Sequence, residues 1–257
     1  MKAFRLPALT VVLLVLTACQ TVPITGRSQI MLLPERQEIQ MGLTAYREVL
    51  NKATVSGDPA LNDQVTRVGR RIAEATGRRD YQWEFKVLES KQANAFALPG
   101  GKVAVYTGIL PITRDDAGLA AVLGHEVAHA IARHGGERIS QMLLVQTGLA
   151  ATQVALARND PQTVQSVASL LGAGAAVGLL LPWSRSQESE ADHLGLIYMA
   201  KAGYHPSAAR DLWVRMAEAG RGQARPPEFL STHPAPETRI RQIEAWIPEA
   251  LLHYQPR

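Results

Sequence analysis

The 257-residue sequence contains a single cysteine, Cys19, and little net charge. One thiol cannot form a disulfide within the chain, so the fold has to rest on its packed core. The formal charge is +4, and Lys2 and Arg5 supply two of the positive charges from a segment that we expect to be removed. So small an excess excludes the basic footprint of a nucleic-acid-binding protein. Charged residues make up 19% and apolar residues 46%, which excludes broad disorder.

The N-terminal apolar run, Leu6 to Leu16, is too short to span a bilayer. It follows a basic start, which predicts a signal peptide over residues 1–18. The run ends at Cys19, where "LTAC" resembles the bacterial lipobox, whose cysteine is lipidated and becomes the first mature residue. Gln20 stands where an aspartate retains lipoproteins at the inner membrane, so the resemblance implies the outer membrane, facing the periplasm. The alternative is a plain signal peptide with an incidental cysteine.

The periodicity of the remaining chain predicts a mainly helical α+β protein. A tether over 19–34 precedes one domain over 35–257. Helical periodicity covers Glu35 to Lys52 and Pro59 to Ala75, while "WEFKVLES" and "ANAFALPGGKVAVYTGIL" predict short strands. We expect residues 139–184, which are nearly free of charge, to form an apolar helical hairpin packed on the protein. Their glutamines, threonines and glycines make that hairpin a better expectation than membrane insertion.

Three of the seven histidines lie within "AVLGHEVAHAIARH", on a predicted helix that begins at Asp115 and Asp116. His125 and His129 are four residues apart and project side by side, so that their neutral nitrogens can share one zinc ion. Glu126 borders the open coordination position, where a carboxylate can take a proton from bound water. The alternative is a surface helix with solvated histidines, which the apolar surroundings of the motif disfavour.

A third ligand is available in "SRSQESEADHLG". Glu188 and Asp192 are again four residues apart, so Glu188 can ligate zinc while Asp192 accepts a hydrogen bond from a ligand histidine. The metzincin pattern, in contrast, is absent, because Ala132 and Gly135 stand where it needs glycine and histidine. His134 is one position short, and we expect it at the surface.

"GHEVAHAIARHG", "SRSQESEAD" and "NAFALPGG" together resemble the gluzincin metallopeptidases that include HtpX, the CAAX prenyl protease and the periplasmic β-barrel assembly-enhancing protease. The likeness covers Pro34 to Ile247. It implies one zinc ion bound by His125, His129 and Glu188, with Glu126 as general base and Glu190 as the rival ligand. It also implies that Asn94, Ala95, Phe96 and Ala97 form an edge strand along the active-site cleft, where an extended substrate can pair.

"STHPAPETR" places His233 in a loop like one that can occupy the open zinc position and keep a relative latent. The other two interpretations are a donor to the tetrahedral oxyanion and a plain loop histidine. His193, His205 and His253 have no identifiable partner in the sequence, and we expect them to be structural or exposed.

Together these features predict a zinc-dependent endopeptidase for unfolded or misassembled envelope polypeptides, tied to the membrane by a lipid on Cys19. The alternative is a largely latent assembly factor that binds β-strands through its edge strand and seldom cleaves.

Overall fold

A computed structural model describes residues 19–156, 181–220 and 237–256, together with Phe229 and His233. The predicted signal peptide and residues 157–180 of the predicted hairpin lie outside this part of the chain. The described residues form two compact units. The first contains the residues up to Glu35 and Arg133–Gln187, and the second contains Arg36–Ala132 and Glu188 onward.

Helices dominate, as expected for a mainly helical α+β protein. In chain order the elements are β1 (Cys19–Thr21), β2 (Ser28–Ile30), α1 (Glu35–Lys52), α2 (Pro59–Thr76), β3 (Glu84–Leu88), β4 (Ala95–Leu98), β5 (Lys102–Tyr106), a 3₁₀ turn (Thr107–Ile109), α3 (Leu110–Thr113), α4 (Asp116–Ile131), α5 (His134–Leu156), α6 (Leu181–Lys201), α7 (Ser207–Gly220) and α8 (Glu237–Leu251). No helix in the described ranges is long and apolar enough to cross a membrane.

Helix α2 has clear start and stop signals. The Asp58 side chain caps it by accepting from the backbone N–H groups of Ala60 and Leu61, and Gly77 ends it at a φ of 73°. Its apolar face packs against α4 and β3. Gly69 lies on that face against Phe85, so close that an added Cβ would come within 2.4 Å of the ring.

The sheet of the second unit has the order β3-β5-β4. β3 pairs with β5 in parallel, and β4 pairs with β5 antiparallel, with Ala95 opposite Val105. The central strand β5 is apolar and buried at Val103, Ala104 and Val105. β4 is therefore an edge strand, as predicted, and it packs beside α4.

Helices α4 and α6 approach each other closely at two glycines. A Cβ on Gly195 would lie 2.9 Å from the backbone nitrogen of His125, and one on Gly124 would lie 2.8 Å from the carbonyl oxygen of Gly195. Because neither glycine has a side chain, the two backbones can touch. This contact brings the His125 turn of α4 next to the middle of α6.

In the first unit, the predicted tether is an antiparallel β1–β2 hairpin that packs on α5. The Arg27 guanidinium donates to both carboxylate oxygens of Glu137, at 2.7 and 2.8 Å. The backbone N–H of Leu32 donates to the Ser140 hydroxyl at 2.9 Å. The hairpin is thus held by charged and backbone contacts, in addition to apolar packing of Val22 and Met31.

The expectation that His134 lies at the surface is wrong. His134 is buried, with 1% of its surface exposed. The expectation assumed that one continuous helix carries His125 and His134. Helix α4 instead ends at Ile131, and Arg133 adopts a left-handed conformation with a φ of 59°. His134 starts α5, so its direction is not set by the azimuth of α4.

Candidate metal centre

His125 and His129 of α4 direct their ring nitrogens to one point. They lie one helical turn apart, and their Nε2 atoms are 3.1 Å from each other. The Asp115 side chain caps the helix by accepting from the backbone N–H of Gly118, and most residues of the helix are buried. The two imidazoles therefore lie in the interior of the second unit and not on a solvated face.

A carboxylate on α6 orients the ring of His125. Nδ1 of His125 lies 2.9 Å from Oδ1 of Asp192, and both residues are buried. Burial alone raises the pKa of Asp192, but Arg239 and the hydrogen bond with His125 outweigh it and lower the pKa. The ionised carboxylate accepts, so Nδ1 of His125 carries the hydrogen and Nε2 keeps a lone pair for a metal.

Glu188 lies one turn before Asp192 and faces both histidines. Its Oε2 is 3.4 Å from Nε2 of His125, and its Oε1 is 3.4 Å from Nε2 of His129. Burial raises the pKa of Glu188, but hydrogen bonds with His125 and His233 outweigh burial and hold the pKa far below its usual value. The rival Glu190 is also buried, but it lies outside the cluster of possible ligands.

The pKa of His125 is subject to the same opposing effects. Burial lowers it, while the hydrogen bonds to Asp192 and Glu188 raise it to about 9. The carboxylates around His125 thus favour a positive charge at this point, whether it is carried by a proton or by a metal ion.

Glu126 borders the cluster, and one oxygen of its carboxylate lacks a hydrogen bond within the described residues. It is buried, and no described residue forms a hydrogen bond with its Oε1, although Nε2 of His233 is 3.3 Å away. Burial raises the pKa of Glu126 above its ordinary value. A buried carboxylate with a raised pKa suits a general base that must also release its proton.

His233 also lies beside the two histidines of α4. Its Nδ1 is 2.7 Å from Oε2 of Glu188 and 3.2 Å from Nε2 of His125. As a protonated nitrogen it donates to Glu188, and as a bare nitrogen it offers a lone pair to a metal. The backbone N–H of His233 donates to the carbonyl oxygen of Phe229.

The separations among these donor atoms suit zinc. His125, His129, Glu188 and His233 each offer one atom, all within 4.8 Å of one another. Four ligand atoms at zinc–ligand distances of about 2.0–2.2 Å form a tetrahedron whose edge is about 3.3–3.6 Å. The nitrogen–nitrogen and nitrogen–oxygen distances of 3.1, 3.2 and 3.4 Å are close to that edge, while the 2.7 Å between Nδ1 of His233 and Oε2 of Glu188 is shorter. Three imidazoles and a carboxylate are also a donor set that zinc accepts.

Arg239 of α8 is part of this centre and was missed in the sequence. Its Nε and Nη2 lie 2.5 and 2.7 Å from the two oxygens of Asp192, and its guanidinium lies 3.6 Å above the ring of Trp213. Arg239 is the third residue of α8, where the helix dipole disfavours a cation. That unfavourable position, at the end of the stretch "STHPAPETR", was a signal that an anion distant in the sequence holds the side chain.

The remaining candidates are not among the four possible metal ligands. Ala95 to Ala97 are in β4 and Asn94 precedes it. His193 stacks on Trp246 and bonds Glu249 at 2.8 Å. His205 contacts Ser207 and Tyr254, His253 is exposed, and Cys19 is exposed in β1.

Comparison with known proteins gives a match to the family described as Peptidase family M48 over residues 59–247. The mitochondrial metalloendopeptidase OMA1 of Schizosaccharomyces pombe is 40% identical over 239 residues, which are 91% of this chain and 68% of that protein. OMA1 of Saccharomyces cerevisiae is 32% identical, covering 89% of this chain and 69% of that protein. The β-barrel assembly-enhancing protease of Escherichia coli is 29% identical over 229 residues, 87% of this chain and 46% of that protein.

Proposed function

We propose that this protein is a zinc-dependent endopeptidase. The chain belongs to peptidase family M48 and is therefore a metallopeptidase. The observation that carries the proposal is the cluster of His125, His129 and Glu188 with Glu126 beside it. A purely structural zinc site is a poorer explanation, because it does not need an adjacent carboxylate base.

The residues of the site divide the work of peptide hydrolysis. His125, His129 and Glu188 would hold the zinc ion, which would supply a water with a pKa lowered to about 7 and would polarise the scissile carbonyl. The Glu126 carboxylate accepts the proton of the attacking water and then passes it to the leaving amine. Asp192 keeps the His125 ring in the tautomer that leaves Nε2 free of hydrogen.

The experiment is cleavage of unfolded casein by the purified chain, with and without a chelator. The proposal requires that the chelator abolish cleavage, that added zinc restore it, and that Glu126→Gln be inactive while it still binds zinc. Cleavage that persists in the presence of the chelator would refute a metal-dependent mechanism.

We propose that substrates are extended polypeptides that pair with β4. On the side of β4 that faces away from β5, no strand of the described residues pairs with it. The N–H and C=O groups of an edge strand can bind the backbone of an unfolded segment, whereas a folded protein has few such segments available. Unfolded or misassembled envelope polypeptides therefore suit the site.

A role in the bacterial cell envelope is part of the proposal. It is supported by the lipobox-like sequence at Cys19 and by the similarity to the Escherichia coli β-barrel assembly-enhancing protease. The two OMA1 relatives are 40% and 32% identical to this chain, compared with 29% for the Escherichia coli protein, and are mitochondrial by name. The N-terminal sequence favours the envelope, with the chain anchored through Cys19 to the outer membrane and facing the periplasm.

The second candidate is a largely latent factor that binds β-strands and seldom cleaves. The position of His233 favours it, because Nδ1 of His233 lies among the donor atoms. If it occupies the position of the attacking water, Glu126 has no water to activate. The two candidates differ in the resting rate of cleavage, which the His233 variant described in the Discussion measures.

A further inference from the structure

Arg239 contacts four residues of the proposed zinc site, namely Asp192, His125, Glu188 and His233. It is buried and lies in α8, at the end of the stretch "STHPAPETR", in which only His233 was predicted to belong to the site. A buried guanidinium is costly unless its hydrogen bonds are satisfied, so its position needs a reason.

The first and closest contact is with Asp192. Two nitrogens of Arg239 bind the two oxygens of Asp192 at 2.5 and 2.7 Å, in the bidentate geometry that Arg forms with carboxylates. One of these oxygens also accepts the Nδ1 hydrogen of His125 at 2.9 Å. Arg239, Asp192 and His125 thus form a chain of hydrogen bonds that ends at the nitrogen available for zinc.

The other contacts fix Arg239 and extend its reach. The Trp213 ring lies 3.6 Å below the guanidinium and leaves it little freedom to turn. Nη1 of Arg239 donates to the carbonyl oxygen of His233 at 3.3 Å and lies 3.5 Å from Oε2 of Glu188. The same side chain therefore touches the backbone of the loop that presents His233.

We propose that Arg239 is a positioning residue for the metal centre. Its two hydrogen bonds hold the Asp192 carboxylate in one rotamer, and Asp192 in turn holds His125 in the zinc-binding tautomer. This inference rests on the proposed zinc site, and it adds a residue that acts through Asp192 and not on substrate. It predicts that zinc affinity depends on Arg239 only while residue 192 is an aspartate.

The experiment measures zinc affinity directly, by competition with a chromophoric chelator on the purified chain. We expect Arg239→Gln to weaken zinc binding roughly 10- to 100-fold, as the loss of groups that orient metal ligands does. Arg239→Lys should recover part of the loss, because an ammonium supplies charge without the two-pronged geometry. The matched control is Arg210→Gln, since Arg210 of α7 pairs with Glu244 of α8 at the surface. That control should bind zinc like the wild type.

Double variants identify the route by which Arg239 acts. In an Asp192→Asn background, Arg239→Gln should cost less than about 3-fold in zinc affinity, because the buried carboxylate that needs it is gone. Full additivity of the two losses would overturn the inference. In a His233→Ala background the loss should persist, and its disappearance there would show that Arg239 acts through His233 instead.

Two controls separate this inference from the proposed function and from misfolding. If the wild-type chain binds no zinc, the proposed function fails. If the wild type binds zinc and Arg239→Gln binds it equally well, only the inference about Arg239 fails. Thermal unfolding of the metal-free variants shows whether they fold, and Asp192→Asn with Arg239→Gln is the pair in which no buried charge is left alone.

Discussion

At the scale of single residues, the centre distinguishes groups that would hold the metal from a group that would use it. Nε2 of His125 and Nε2 of His129 lie 3.1 Å apart, and each lies 3.4 Å from a carboxylate oxygen of Glu188, as the proposed set of ligands requires. Oε1 of Glu126, the proposed base, lies 3.3 Å from Nε2 of His233. Ligand and base have different requirements. A ligand must point its lone pair at the ion, whereas the base must reach the water and release its proton at the right moment.

We therefore predict that alanine at position 125, 129 or 188 abolishes stoichiometric zinc binding, while Glu126→Gln keeps about one zinc per chain and loses peptidase activity. Metal analysis of dialysed protein measures the first effect and casein cleavage measures the second. Glu190→Ala is the matched control, because Glu190 is also buried and lies on the same helix. Zinc lost from that variant but retained in Glu188→Ala would identify Glu190 as the true ligand.

Replacing His233 would raise, lower or leave unchanged the rate of cleavage, depending on which of its three roles is correct. Its Nδ1 lies within the donor set and its Nε2 lies 3.3 Å from Glu126. A histidine that occupies the water position slows the enzyme, so we predict that His233→Ala cleaves casein faster than the wild type while binding zinc nearly as well. A histidine that stabilises the oxyanion would instead cost roughly 10²–10³ in rate upon substitution. An unchanged rate would identify a plain loop residue.

At the scale of helices and strands, local patterns predicted most of the second unit. Helices α1 and α2 lie within one residue of the predicted ranges, α4 begins at the predicted Asp116, and the three strands lie inside the two stretches predicted to form strands. The break at Arg133 was not predicted, because a left-handed non-glycine residue leaves no mark in "AIARHGG". Arg239 was missed for another reason, since its partner Asp192 is distant in sequence and such a contact depends on the tertiary fold.

The glycine contact between α4 and α6 supports a prediction for the pair of helices. In Gly195→Ala the new methyl group meets the backbone of His125 at 2.9 Å, and a backbone cannot move aside as a side chain can. We expect the free energy of unfolding to fall by about 1–3 kcal/mol and zinc affinity to fall with it. Gly135→Ala is the control, because a Cβ there has nothing within 4 Å. Urea unfolding of the metal-free proteins measures the difference, and equal stabilities would contradict the close packing.

The link between α2 and α4 predicts a pH dependence. Asp116, in the first turn of α4, accepts hydrogen bonds from Gln64 and Arg67 of α2. The hydrogen bond from Arg67 lowers the pKa of Asp116 despite partial burial. A carboxylate with a lowered folded pKa contributes stability above its unfolded pKa of about 4 and loses it as the pH falls through the folded value.

Asp116→Asn should therefore be less stable than the wild type at pH 7, by up to about 1 kcal/mol because Arg67 is half exposed. The difference should shrink as the pH is lowered below about 4. Urea unfolding at a series of pH values measures it, with Glu218→Gln as an exposed carboxylate control on α7. A difference that stays constant with pH would show that Asp116 acts without its charge.

At the scale of the whole molecule, the N-terminal segment from Cys19 is a folded part of the first unit. Residues from Cys19 to Glu35 belong to the same compact unit as α5, where Arg27 binds Glu137 and Leu32 binds Ser140. A lipid on Cys19 would thus be attached to a structured hairpin. The distance between the membrane and the first unit would then be set by β1 and β2, and not by a flexible linker.

The last prediction concerns Cys19. "LTAC" places the cysteine at the end of the apolar run, and the structure leaves it exposed in β1, where an attached lipid needs no rearrangement of the core. Expressed as the full chain in a Gram-negative bacterium, the protein should carry a lipid on an N-terminal Cys19 and fractionate with the outer membrane. Cys19→Ala should be released to the soluble periplasmic fraction or remain unprocessed, while its zinc content is unchanged because Cys19 lies outside the donor cluster. Mass spectrometry of the mature N-terminus decides the matter. An unmodified terminus beyond Cys19 would leave a secreted peptidase without an anchor, and the proposed outer-membrane location would be wrong.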